Sequence, residues 1–233
     1  MLNKKISSIN GVISLIKLYL FIVLISLSGC IAGPSLYSEA LRTSLIAIKS
    51  NEILIDDRIR NIPYAMQISK IGNSDEVLLV LVEERNGDLI WTSATKELIV
   101  TRAGKVIKTI GLLNDIEITN PPDLNKISNE IYHNNDLQYE FKSLITFTDP
   151  KASLLEIKYN YSFIQKEKYV NRLNSKEVNV FVIEERVRIP LIKFKAKNYY
   201  WVDDEFNVLK SIQKTAPNMK FIELVSLKKY NGK

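Results

Sequence analysis

The 233-residue chain is 46% hydrophobic and 25% charged with a net charge of +6, ordinary values for a globular protein. One cysteine and one histidine exclude a disulfide framework and a clustered Cys/His zinc site. Lys4, Lys5 and Lys17 fall in the first 17 residues, so the rest carries a net charge of +3, spread without the basic stripe that a nucleic-acid-binding domain needs.

Residues 1–17 contain lysine and no acid, and residues 18–27 are an apolar run: the charged and hydrophobic regions of an export signal. A membrane-spanning helix needs about 20 apolar residues, and extending this run back to Gly11 would bury Lys17. Leu27-Ser28-Gly29-Cys30 follows and resembles the bacterial lipobox. Small side chains there admit the signal peptidase, and the thiol takes the diacylglycerol. On this reading residues 1–29 are removed, Cys30 becomes the lipidated first residue, and residues 30–34 form a tether. Two or three acyl chains hold a protein firmly where one does not, so the mature chain is expected to be anchored to a membrane without spanning it. Ile31 stands where aspartate commonly retains Gram-negative lipoproteins at the inner membrane. Its presence points to the outer membrane, facing the periplasm.

Residues 35–49 have helical spacing, with Leu41, Leu45 and Ile48 on one face and Ser35 or Ser38 as a cap. A helix this short is marginal alone and is expected to pack on the domain that follows. From Glu52 to Tyr230 the pattern is β. Residues 77–82 are a branched apolar run, and Asn86-Gly87 is the dipeptide of a type I′ hairpin. Strands follow over 89–94 and 97–102, and Ala103-Gly104 turns the chain into another over 105–110. Asparagines and Pro121-Pro122 interrupt residues 114–138, where a short helix is predicted near 124–132. The β pattern resumes at Tyr139 and runs through 153–165, 177–195, 198–203, 207–214 and 219–227. Apolar residues there alternate with Lys and Glu, so one face is buried and the other wet. The expected fold is all-β: one antiparallel domain over residues 35–233, curved or barrel-like, with the N-terminal helix packed on it.

Catalytic equipment is sparse. His133 lies in an Asn-rich stretch, no G-x-S-x-G elbow accompanies it, and the glycines stand singly at turns rather than in a phosphate-binding loop. Acidic pairs occur at Asp56-Asp57, Glu83-Glu84, Glu184-Glu185 and Asp203-Asp204. Adjacent acids in a strand point to opposite faces, so these read as solvated strand ends rather than a glycosidase pair. Trp91 and Tyr199-Tyr200-Trp201 are read first as packing residues, with contact to a carbohydrate or a protein partner as the alternative. No metal and no cofactor are expected.

Three blocks of sequence resemble the YjbF/GfcB lipoprotein family, associated with group 4 capsule and exopolysaccharide operons. The first is Ile62-Pro63-Tyr64-Ala65, leading into the strand at Val77. The second runs through Leu89-Ile90-Trp91-Thr92-Ser93-Ala94, Ile99-Val100-Thr101-Arg102-Ala103-Gly104-Lys105-Val106 and Thr109-Ile110-Gly111-Leu112. The third holds Tyr199-Tyr200-Trp201-Val202-Asp203, Leu209-Lys210-Ser211-Ile212-Gln213, Pro217 and Leu227-Lys228-Lys229-Tyr230. Two departures stand out: residues 204–207 lack the glycine expected in that turn, and Lys229 replaces a usual proline. The resemblance implies a periplasmic β-rich lipoprotein, an accessory factor without catalytic residues that works beside export proteins or on the polymer itself. The alternatives are a polysaccharide lyase or hydrolase acting on that polymer, and a general envelope-assembly lipoprotein.

Overall fold

The computed structural model describes Ile53, Ile55, residues 57–134 and residues 138–230, which fall in one compact unit. Among them are twelve strands: β1 (Met66–Ile71), β2 (Val77–Arg85), β3 (Asp88–Thr92), β4 (Leu98–Arg102), β5 (Lys105–Ile110), β6 (Ile116–Thr119), β7 (Tyr139–Thr148), β8 (Lys151–Val170), β9 (Glu177–Ile189), β10 (Phe194–Val202), β11 (Val208–Gln213) and β12 (Ile222–Lys228). Each pairs antiparallel with its sequence neighbours, and β1 pairs with β12. The ring is closed, which leaves no free sheet edge to recruit another chain. A short helix, α1 (Asp57–Arg60), precedes β1; α2 (Leu124–His133) lies between β6 and β7.

Local chemistry accounts for the turns. Asn86 and Gly87 both have positive φ, as do Ala103 and Gly104, the backbone that a two-residue hairpin of this hand requires. The helix expected near 124–132 is α2. Asp123 caps it by accepting from the Lys126 amide at 3.2 Å, and Leu124, Ile127 and Ile131 bury its apolar face in the main core. The helix expected over residues 35–49 lies outside the described residues, as does the lipobox. Two boundaries differ from expectation. Residues 116–119 form strand β6 despite the turn residues around them, with Ile116 and Ile118 facing inward. The run over 177–195 is two strands, because Pro190 cannot continue the ladder and starts a 3-10 turn.

Most strands bury one face. The wall of β12, β1 and β2 buries both. Leu79, Ile222 and Leu224 face the barrel core, whereas Met66, Ile68, Leu78, Val80, Val225 and Leu227 face outward under Ile53 and Ile59. Double burial explains why residues 77–82 read as an unbroken apolar run rather than an alternation. The β8–β9 hairpin reaches the same covering segment: Arg172 pairs with Glu76 at 2.7 Å and donates to the Ile53 carbonyl at 3.0 Å.

A round barrel of twelve strands would hold an open lumen. This one is flattened. β5 and β11 stand opposite each other, six places apart in the ring. Even so, the Gln213 side chain accepts from the Val106 amide and donates to the Gly104 carbonyl, each at 2.9 Å. Gly104 permits the approach, since a Cβ there would lie 2.4 Å from the Cβ of Val208 and φ is +80°. Gln213→Leu should therefore strand the buried Val106 amide, costing about 1–3 kcal/mol, and free the half-buried Gly104 carbonyl. Denaturant titration measures this; an unchanged midpoint would show that the crossing contributes nothing.

Candidate functional site

The period-two alternation of β9 turns Phe181, Ile183, Glu185, Val187 and Ile189 into the barrel, and one of these is a carboxylate. Lys105, at the start of β5, meets it from across the lumen. Both side chains are 0% exposed. The Lys105 ammonium donates to Glu185 Oε1, as does the Tyr161 hydroxyl. Asn198 Nδ2 donates to Glu185 Oε2 at 2.6 Å, and the Tyr200 hydroxyl lies 3.1 Å from the same oxygen. The ammonium also sits 4.2 Å from the centroid of the Tyr159 ring.

Burial pushes the Lys105 ammonium down from its usual pKa, and its pairing with Glu185 offsets only part of this. Burial, reinforced by the Glu185 charge, pushes the phenols of Tyr159, Tyr161 and Tyr200 well above their ordinary range. A lysine, a carboxylate and three tyrosines form a set with which proton-transfer enzymes work. Here both charged groups are sealed from solvent and occupied with one another. The sequence hid the cluster because Lys105 follows a tight turn and Glu185 belongs to an acidic pair, both common surface patterns.

The solvated-strand-end reading fails for Glu184-Glu185, which sits within β9 with both residues buried. Glu184 points to the outer face, where Arg186 at 2.6 Å and Lys197 at 2.9 Å hold it. Burial raises its pKa, but those two partners more than offset that and keep it below the usual carboxylate range. Asp203 is buried too. It accepts from the amides of Glu205 and Asn207 at 3.1 and 2.8 Å and so builds the β10–β11 turn. Phe206 supplies the positive φ of 63° there in place of the expected glycine and packs against Tyr132 and Phe181. Glu83, Glu84 and Asp204 are exposed, as expected; His133, exposed at the end of α2, packs edge-on against Tyr132.

The four aromatic candidates divide. Trp91 is core: it is 5% exposed and its indole N–H donates to Thr101 at 2.8 Å. Tyr200 faces the interior cluster. Tyr199 and Trp201 lie half-buried on the outer face of β10, with ring centroids 6.5 Å apart. The Trp201 N–H donates to Glu167, and the Lys210 ammonium lies over its ring at 5.2 Å. Packing is thus the answer for two of the four, while the other two keep an accessible side. Cys30, Leu27, Ser28 and Gly29 lie outside the described residues.

An open cavity of about 330 Å³ lies at the barrel end where β1 turns into β2 and β11 into β12. Ile71, Leu79, Ile99 and Met219 supply apolar walls, and Glu97 is occupied by the Ser93 and Thr95 hydroxyls. Such a lining favours a small apolar ligand over a charged polymer. Among the described residues no three His, Cys, Asp or Glu side chains gather as a metal site, and no helix is long and apolar enough to cross a membrane.

Comparison with known proteins identifies the family and the fold. Residues 38–227 match the family model described as "Group 4 capsule polysaccharide lipoprotein gfcB, YjbF". The uncharacterized lipoprotein YjbF of Escherichia coli K12 is 29% identical over 102 residues, 43% of this chain and 48% of that protein, so the match spans about half the relative's length. The crystal structure of the hypothetical lipoprotein YmcC from Escherichia coli K12 superposes with a TM-score of 0.65 at 21% identity, covering 81% of this chain and 94% of that one. At that identity the likeness establishes the fold.

The buried phenols set an alkaline limit. Their folded pKa values lie above the ordinary value of about 10, so the unfolded chain loses these protons first. The stability they contribute is full below about pH 10 and is lost as pH rises beyond it. In a phenolate absorbance titration, Tyr159, Tyr161 and Tyr200 should ionise only as the barrel unfolds. Free titration of all tyrosines in a folded barrel would contradict the placement.

Proposed function

Because this chain belongs to the YjbF family of group 4 capsule polysaccharide lipoproteins, we propose that it is a lipid-anchored accessory factor in the assembly or export of a surface polysaccharide, and that it is not an enzyme. Cys30 carries the anchor, and the protein sits at the outer membrane facing the periplasm, beside export proteins or their polymer. The observation that carries this reading is the sealing of Lys105 and Glu185, each 0% exposed. They are the groups best equipped for proton transfer among the described residues, and a polymer cannot reach them. A polysaccharide hydrolase would need two carboxylates facing one groove. Glu184 and Glu185 instead face opposite sides of the sheet.

Deleting the gene should lower polysaccharide at the cell surface while polymer synthesis inside continues. Purified protein should leave the polymer's chain length unchanged; shortening it would overturn the non-enzymatic reading. Cys30→Ser should abolish fatty-acid labelling, and normal labelling of that variant would refute the anchor.

A further inference from the structure

The cationic residues that look scattered in the sequence are gathered by strand register. Lys142 of β7 pairs with Lys158 of β8, Lys158 with Arg188 of β9, and Arg188 with Lys195 of β10. The alternation turns all four to the outer face, in one row across four strands, about 14 Å at the usual strand spacing. In the next row along the strands, Arg186 pairs with Lys197. Beyond that lie Tyr199 and then Trp201. The carboxylates interleaved on this face are Glu140, Glu156, Glu167 and Glu184, and Glu167 accepts from the Trp201 indole N–H. Glu156 pairs with Lys158, and Glu184 with Arg186 and Lys197. Lys142, Arg188 and Lys195 are exposed, and no carboxylate pairs with them among the described residues. Lys142, Lys158, Arg186 and Arg188 also line a surface groove of about 590 Å³.

Like charges directly opposite across strands destabilise a sheet. Four in a row, three without partners, is an arrangement that folding alone does not favour and that a bound polyanion would relieve. We infer that the outer face of β7–β10 binds an acidic polysaccharide. Its carboxylate- or phosphate-bearing sugars lie along the Lys142–Lys158–Arg188–Lys195 row, and sugar rings pack on Tyr199 and Trp201. Charge and aromatic surface side by side fit an acidic glycan better than a lipid headgroup layer, which has no ring to stack. Strands β7 and β8 of this face lie across the ring from β1 and β2, whose outer side Ile53 and Ile59 cover. The inference rests on the proposed role in polysaccharide assembly and names the class of polymer.

The test uses detergent-solubilised full-length protein and affinity electrophoresis in polygalacturonate and in neutral dextran. The protein should be retarded by polygalacturonate alone. Combined Lys142→Gln, Arg188→Gln and Lys195→Gln should weaken that binding by about tenfold or more and reduce its salt dependence. The same change at three exposed lysines elsewhere, Lys126→Gln, Lys176→Gln and Lys220→Gln, should leave binding intact. Thermal unfolding of the first variant should be unchanged or shifted upward, because repulsion is removed. Equal loss in both variants, equal binding to dextran, or no binding to polygalacturonate would overturn the inference. Abolition by excess phosphatidylglycerol in the micelles would assign the face to an anionic membrane surface and likewise overturn it. If the first variant loses binding yet restores surface polysaccharide to a deletion strain, the glycan site falls and the accessory role stands.

Discussion

The contact on which the interior depends is the ion pair between Lys105 and Glu185. It spans the lumen and joins two walls of the barrel that sequence places 80 residues apart. Taking two charges out of water costs several kcal/mol each, and attraction offsets that only when the remaining donors and acceptors are also satisfied. Here Tyr161, Asn198 and Tyr200 complete the carboxylate, and Tyr200 and the Tyr159 ring face the ammonium. Gln213 continues the polar crossing to the backbone of β5. The crossing converts an open ring into a filled body. The groups that look catalytic are occupied with one another, which supports the proposed accessory role.

The proposed function lies on the outside, where the strand register matters more than the fold class. A flattened closed barrel is rigid and has no edge strand to pair, so its outward side chains hold fixed spacings. One side of the ring carries an apolar layer, Met66, Ile68, Leu78 and Val80 beneath the segment before β1. The far side carries the cationic rows. Together with the proposed lipid anchor, a fixed charged face suits the handling of a polymer in transit.

Much of the architecture was legible in the sequence. Asn86-Gly87 and Ala103-Gly104 marked their hairpins because positive φ is chemically restricted. A short helix was expected near residues 124–132, and α2 lies there. Strand β6 was hidden because four alternating residues carry less weight than the asparagines and prolines flanking them. The site was much less legible. Lys105 and Glu185 look like surface residues until the ring brings them together. Lys142, Lys158, Arg188 and Lys195 span more than 50 positions, and composition shows only a modest net charge. Register, a tertiary property, creates both groupings. Tyr199-Tyr200-Trp201 is intermediate: alternation alone separates Tyr200 from its neighbours, but which side is core follows only from the assembled barrel.

The central claim is that the sealed interior cluster performs no chemistry. Its most direct test is the combined Lys105→Met and Glu185→Gln variant, which removes both charges while keeping side-chain size and most hydrogen bonds. Surface polysaccharide is measured in a deletion strain expressing it, alongside its cellular abundance. A folded, abundant variant that restores surface polymer is the predicted result. A folded, equally abundant variant that restores none would contradict the account and return the cluster to the status of an active site.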